Sequence, residues 1–158
     1  MTAIGLVGSN RLNNSGLINV LAVLAFVIVA VSSIYSEHLL AMVAVWEHSE
    51  TYAHCYFVLP GMLYLLWSSR ANIDVAPQPS IMLTLLLFPL AFFWLFGALA
   101  DVALINHFAI VSMIVISTMA LLGWTLSKKI LFPLGFLMLS VPVGEELIPI
   151  MIEFTADF

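Results

Sequence analysis

Several residue types that could do chemistry lie in one short stretch, WEHSETYAHCYFVLPG, at positions 46–61. The stretch contains two of the four histidines, two glutamates and the chain's single cysteine, Cys55. A histidine beside a cysteine can generate the reactive thiolate of a nucleophile. Histidine, cysteine and carboxylate side chains are also the usual ligands of zinc. The stretch therefore raises three alternatives: a nucleophilic cysteine, a metal site, or polar side chains at a membrane surface.

A zinc site needs three or four ligands that converge on one point. If the stretch is one helix, its polar residues divide between two faces, because positions three, four and seven apart share a face. The two faces hold Glu47, Glu50 and His54, and His48, Tyr52 and Cys55. Neither spacing is a familiar metal motif, so solvated interfacial side chains are favoured over metal ligands.

Cys55 is a candidate nucleophile because the neighbouring His54 could act as its base. Adjacent residues of a helix point about 100° apart, however, which places the two side chains poorly for proton transfer. A buried, inert cysteine is therefore favoured. Haem ligation by His54 and His107 is a further alternative, although nothing else in the sequence is typical of an electron carrier.

The composition identifies the class of protein that carries this stretch. Of the 158 residues, 63% are hydrophobic and only 8% are charged, and the mean hydropathy is +1.16. A soluble domain of this composition would lack a polar surface, whereas lipid requires none. We predict an integral membrane protein that contacts the bilayer, with no cofactor and no nucleic-acid partner. A single cysteine excludes an internal disulfide.

Segments of about 17 to 25 apolar residues predict membrane spans. Two candidate spans are weaker than the others. Residues 51–67 are kinked by Pro60 and Gly61. Residues 130–143 would be only about 21 Å long as a helix, against a hydrocarbon core of about 30 Å. The predicted fold is all-α, a single transmembrane domain over residues 1–158 with about five spans. The predicted spans are residues 17–34, 51–67, 81–99, 104–124 and 130–143.

The distribution of charge gives the predicted orientation, because lysine and arginine collect on the cytoplasmic side of membrane proteins. With a cytoplasmic N-terminus, all four basic residues fall inside; they are Arg11, Arg70, Lys128 and Lys129. Asp74 is then the one acid on the basic side, in a predicted turn over residues 71–79. The acids assigned to the outer face are Glu37, Glu47, Glu50, Asp101, Glu145, Glu146, Glu153 and Asp157.

Tryptophans and the last acids refine this topology. Three tryptophans are expected in interfacial belts, whereas Trp94 lies inside a span and is predicted to pack. The acids that interrupt the apolar run PVGEELIPIMIEF favour a turn after residues 142–144 and then an amphipathic helix on the outer surface, which could form the rim of a site. The belt residues are Trp46, Trp67 and Trp124, and these acids are Glu145, Glu146 and Glu153.

Three stretches of the chain resemble the exosortase family in order and spacing. They are WEHSETYAHCYFVLPGMLYLLWSSR at residues 46–70, residues 94–124, and residues 131–158, which include SVPVGEELIPIMIEFTADF. The last stretch, with its Gly-Glu pair and terminal Phe-Thr-Ala-Asp-Phe, is most similar to the exosortase A subfamily.

The resemblance implies a multi-pass inner-membrane enzyme of Gram-negative bacteria, linked to exopolysaccharide production. Its substrates would be proteins with a C-terminal PEP-CTERM sorting signal. It implies a cysteine transpeptidase or peptidase in which the thiolate attacks a peptide bond, a histidine transfers protons and an arginine stabilises the oxyanion near the periplasmic face.

The sequence departs from the family in two respects. The family's catalytic cysteine, in a Cys-Ser-Gly context, and its arginine and histidine follow the Thr-Ala-Asp-Phe region, so we expect them beyond Phe158. The position of Cys55 is usually a glycine in the family, so Cys55 is not expected to be the nucleophile. The resemblance therefore implies the N-terminal half of an exosortase A-like enzyme, inactive alone. The alternatives are a non-catalytic membrane scaffold or partner module, and a metal- or haem-binding membrane protein.

Overall fold

The computed structural model describes residues 14–69, 76–144 and 147–156. Every regular element in these residues is helical, which confirms the all-α prediction, and some helices have membrane length. The chain is therefore an all-α membrane bundle. Of the charged residues named above, those outside the described ranges are Arg11, Arg70, Asp74, Glu145, Glu146 and Asp157.

The described residues form nine α-helices and two 3₁₀ helices. The α-helices are α1 (Asn14–Ile34), α2 (Ser36–His48), α3 (Val58–Ser69), α4 (Ile81–Leu85), α5 (Leu87–Ala100), α6 (Ala103–Leu122), α7 (Trp124–Lys129), α8 (Leu131–Phe136) and α9 (Leu147–Ala156). The 3₁₀ helices are η1 (Glu50–Phe57) and η2 (Leu137–Ser140).

Two helical stretches are long and apolar enough to cross a membrane: α4 with α5, Ile81–Ala100, and α6, Ala103–Leu122. They confirm the predicted segments 81–99 and 104–124 as candidate spans. The pair Ile18–Ile34 and Ser36–His48, in α1 and α2, is also long and apolar enough when taken together, but its two parts are bent by 80°. The described residues therefore contain two candidate spans, or three if the bent pair counts as one.

Prolines lie near the starts of several helices, both within the Ile81–Ala100 stretch and in the other apolar runs. Pro60, Pro89 and Pro133 are each the third residue of a helix, in α3, α5 and α8 respectively. The first N–H groups of a helix have no partner inside it, so a proline is tolerated there and disfavoured further along. The predicted span 51–67 accordingly divides into η1 and the 12-residue α3.

In the fifth predicted span, residues 130–143, the helix is also shorter than the apolar run. Its helical part is Leu131–Ser140, which is too short to count as a candidate span. Pro142 cannot continue a helix, and the backbone at Val141 is already extended. The number of five spans and the cytoplasmic N-terminus remain predictions.

Helix α6 is the centre of the bundle. It packs against α1, α2, α4, α5 and η2. Of its most apolar 18-residue window, 67% is buried, against 6% for the window in α4 and α5. The buried core includes Val115 of α6 itself and Met42 and Trp46 of α2. Helix α6 therefore organises the core, and most of α5 faces outward.

The carboxyl end of α6 is closed by backbone hydrogen bonds. The Gln78 N–H donates to the Leu122 carbonyl at 3.1 Å, and the Ser80 N–H donates to the Ala120 carbonyl at 2.8 Å. Gly123 follows with φ +81° and ψ 162°, and a Cβ at this position would collide with the backbone oxygen of Gln78. We call these two hydrogen bonds and Gly123 the backbone latch.

Candidate functional site

The polar stretch that begins at Trp46 is not one helix. Helix α2 ends at His48, and Ser49 is extended, with φ −119° and ψ 118°. The chain then continues as η1, and a 3₁₀ helix has three residues per turn. Its buried face is consequently formed by Tyr52 and Cys55, and Val58 continues this spacing of three. The predicted shared face of His48, Tyr52 and Cys55 is therefore wrong, because the helix breaks at Ser49.

The partners of this buried face are backbone carbonyls near the end of the chain. Helix η2 ends at Ser140, Val141 is extended, and Pro142 follows. The last carbonyls of a helix have no partner within it. The chain then turns at Gly144, which has φ +104°. The turn predicted after residues 142–144 lies outside the described residues. Before it, the backbones of Leu139, Ser140 and Val143 present their carbonyls to neighbouring side chains.

Three side chains of the polar stretch donate to these carbonyls. The Trp46 Nε1–H donates to the Ser140 carbonyl at 3.0 Å, and the Tyr52 hydroxyl donates to the Val143 carbonyl at 2.7 Å. The Cys55 thiol donates to the Leu139 carbonyl at 3.5 Å. We call this set the carbonyl clamp: Trp46, Tyr52 and Cys55 with the carbonyls of Leu139, Ser140 and Val143. It joins segments that are 84 to 94 residues apart.

The side chains of Cys55 and His54 lie closer together than expected for adjacent residues of an α-helix, whose side chains point about 100° apart. The Cys55 Sγ lies 3.8 Å from the His54 Nε2, and the His54 Nδ1 donates to the Thr51 carbonyl at 2.9 Å. An imidazole oriented by a carbonyl beside a thiol is the order of groups in an activated nucleophile. Cys55 is, however, 0% exposed, so a substrate carbonyl cannot reach the sulfur without displacement of its neighbours.

The other candidate ligands are dispersed. His48 is exposed and its Nδ1 donates to the Ala44 carbonyl at 2.8 Å, whereas His107 is buried in α6. Within residues 14–69, 76–144 and 147–156, no group of three or more histidine, cysteine, aspartate or glutamate side chains could hold a metal ion. Glu153 is exposed on α9. The residues that the structure assembles are thus those of the carbonyl clamp.

Trp94 packs as predicted. Its indole ring makes edge-to-face contacts with Tyr35, at a centroid distance of 4.9 Å, and with His38, at 5.8 Å. Tyr35 lies at the bend between α1 and α2, so this aromatic cluster joins the bend to α5.

An apolar cavity of about 290 Å³ lies beside the clamp, between α1, α2, α3 and α6. Trp46 and Ser140 form part of its wall, and Met42 and Val111 are among its apolar lining residues. Because the Trp46 Nε1–H is hydrogen-bonded to Ser140, the clamp fixes the orientation of this wall.

Leu139, Ser140 and Val143 could not be identified from their residue types, because they take part through backbone carbonyls, which every residue has. Two signals were present. The spacing of three between Tyr52 and Cys55 matches a 3₁₀ helix, and Pro142 marks the place where the carbonyls of η2 lose their helical partners.

Comparison with known proteins then relates these segments to a family. The family described as transmembrane exosortase (Exosortase_EpsH) has a model that matches residues 46–158, which is more than half of the 158 residues. The match begins at Trp46 and includes both sides of the carbonyl clamp. No curated protein and no solved structure matches the chain.

Proposed function

Because this chain belongs to the transmembrane exosortase family, we propose that it is the N-terminal membrane half of an exosortase A-like cysteine transpeptidase or peptidase. The observation that carries this proposal is the family match over residues 46–158, which contains all six residues of the carbonyl clamp. The substrates would be proteins with a C-terminal PEP-CTERM signal, in an export route associated with exopolysaccharide. The enzyme would lie in the bacterial inner membrane with its active face toward the periplasm.

In this proposal the clamp is a support for the active site. It holds α2 against the end of η2 and η1 against the turn at residues 141–144. Residues outside this chain would supply the nucleophilic cysteine, the histidine and the arginine. The thiolate would attack the scissile carbonyl, expel the C-terminal signal peptide and form a thioester, which an amine or water would then resolve.

The assignment of Cys55 to the clamp follows from its surroundings. Its thiol is fully buried and donates to the Leu139 carbonyl, whereas a catalytic thiol must contact its substrate. Reaction at Cys55 would require the contact between η1 and η2 to open. The chain alone should therefore not cleave a substrate.

The test uses the purified 158-residue chain in proteoliposomes with a PEP-CTERM protein whose cleavage by an active exosortase has been verified. We expect no cleavage by the chain alone, and cleavage after co-reconstitution with the Cys-Ser-Gly-bearing half of a family member. Cleavage by the chain alone that disappears in Cys55→Ser would overturn the assignment of the nucleophile. Co-purification of the two halves without cleavage would instead indicate a non-catalytic module.

A further inference from the structure

A groove with one charged end lies along α7, α8 and η2, apart from the carbonyl clamp. Its volume is about 590 Å³, and it is lined by Lys128 at one end and by apolar residues along its length. These residues are Leu131, Phe132, Gly135, Phe136 and Leu139. From residue 131 to residue 139 the apolar part extends about 13 Å by the rise of α- and 3₁₀-helices.

The charged end is held in position. The Lys128 Nζ lies 5.0 Å from the centroid of the Trp124 ring, which is a cation–π contact. Both side chains are exposed. Lys128 follows the end of the α6 span, Leu122, by six residues and precedes the apolar helix Leu131–Ser140. A lysine and a tryptophan at the end of a span are typical of the headgroup region of a bilayer.

The apolar part of the groove is open at its centre because of one glycine. A Cβ added at Gly135 would meet no atom within 4 Å. The flanking aromatic residues Phe132 and Phe136 are one helical turn apart on α8, with ring centroids 6.5 Å apart. Gly135 has no side chain among these larger ones and faces open space, so it leaves a depression in this face of α8.

We propose that this groove binds an anionic glycerophospholipid, with its phosphate at Lys128 and one acyl chain along α8 past Gly135. The positive charge of Lys128 decides the class of lipid. A lysine at the headgroup level attracts a headgroup with a net negative charge more strongly than it attracts a zwitterionic headgroup. The apolar walls decide its form, because a free phosphate would leave them uncovered. Lys128 therefore recognises the headgroup, and the depression at Gly135 recognises the chain.

The test is a lipid titration of the full chain in detergent, followed by native mass spectrometry. The probes are phosphatidylglycerol and phosphatidylcholine of equal chain length. One lysine near a membrane surface corresponds to a preference of about fivefold. We expect the wild-type chain to retain phosphatidylglycerol about fivefold more strongly, and Lys128→Gln to abolish this preference. Lys129→Gln is the matched control, because it removes the same charge beside the groove without changing its lining.

A second pair of variants tests the acyl chain. Gly135→Leu should fill the depression and reduce retention of both lipids severalfold, whereas Ala98→Leu, at an exposed position of α5, should leave retention unchanged. If Lys128→Gln and Lys129→Gln reduced the preference for phosphatidylglycerol equally, the attraction would be a diffuse effect of charge, and the headgroup site would be overturned. Unchanged binding in Gly135→Leu would overturn the acyl site. A dimer that excludes lipid would show that a second copy covers the groove. Circular dichroism confirms folding of each variant.

Discussion

The carbonyl clamp and the backbone latch both join distant parts of the chain to the bundle, but they do so with different groups. In the clamp, the side chains of Trp46, Tyr52 and Cys55 donate to backbone carbonyls. In the latch, backbone N–H groups donate to backbone carbonyls, and the approach is close because Gly123 has no side chain.

The difference predicts how each region responds to substitution. A contact made by three side chains should weaken in steps as single groups are removed. A contact that depends on backbone approach should tolerate almost no side chain at its glycine. The clamp should therefore accept single side-chain changes, whereas the latch should not.

The largest expected effect is at the latch. In Gly123→Ala, the new methyl group would collide with the backbone of Gln78, and alanine is strained at φ +81°. We expect a loss of about 3 kcal/mol or more in the free energy of unfolding. Denaturant unfolding in detergent micelles measures it. Gly135→Ala is the matched control, because a Cβ there meets nothing and should be neutral or slightly stabilising. Similar losses for the two variants would contradict the latch.

The crossing of α5 and α6 tests whether a glycine contact inside the bundle behaves like the latch. A Cβ at Gly97 would lie 2.6 Å from a side-chain carbon of Ile105 and would also crowd the Asn106 side chain. Because side chains can shift where a backbone cannot, Gly97→Val should cost about 1 to 3 kcal/mol, which is less than Gly123→Ala. The same unfolding measurement compares the two. A larger loss for Gly97→Val would reverse the proposed ranking.

Single deletions in the clamp should have smaller and graded effects. Trp46→Phe leaves the carbonyl of Ser140, a residue that is 2% exposed, without its donor, and we expect a loss of about 2 kcal/mol. Tyr52→Phe affects the carbonyl of Val143, an exposed residue that water can reach, and should cost about 1 kcal/mol.

Tyr64→Phe provides the control for these two variants, because Tyr64 is exposed on α3 and should change stability by less than about 0.5 kcal/mol. A clamp is contradicted if Tyr52→Phe and Trp46→Phe are no more destabilising than Tyr64→Phe.

The sequence predicted the parts of the fold that depend on uninterrupted apolar runs. The spans 81–99 and 104–124 have no charged residue inside them, and the structure contains helices at both places. Their hydropathies are nearly equal, at 2.2 and 2.0, so hydropathy could not reveal that α6 is buried and α5 is not. That distinction depends on helix packing, which a count of apolar residues does not include.

The carbonyl clamp was beyond prediction from residue types because half of its atoms belong to the backbone. Polarity drew attention to His54 and Glu50, which are both exposed. The residues that make the long-range contacts are Trp46 and Tyr52, together with a cysteine whose sulfur is a weak donor. Predicting them required knowing that η1 is a 3₁₀ helix and that η2 ends in front of it.

The most direct test of the structural assignment of Cys55 is the rate at which its thiol reacts with N-ethylmaleimide. The full chain is labelled in detergent micelles, and the rate is compared with that of the denatured chain. Because Cys55 is fully buried in the clamp, we predict labelling on the order of 100-fold slower in the folded chain, and faster labelling in Tyr52→Phe. Rapid, stoichiometric labelling of the folded wild-type chain would contradict the assignment and make Cys55 a candidate nucleophile.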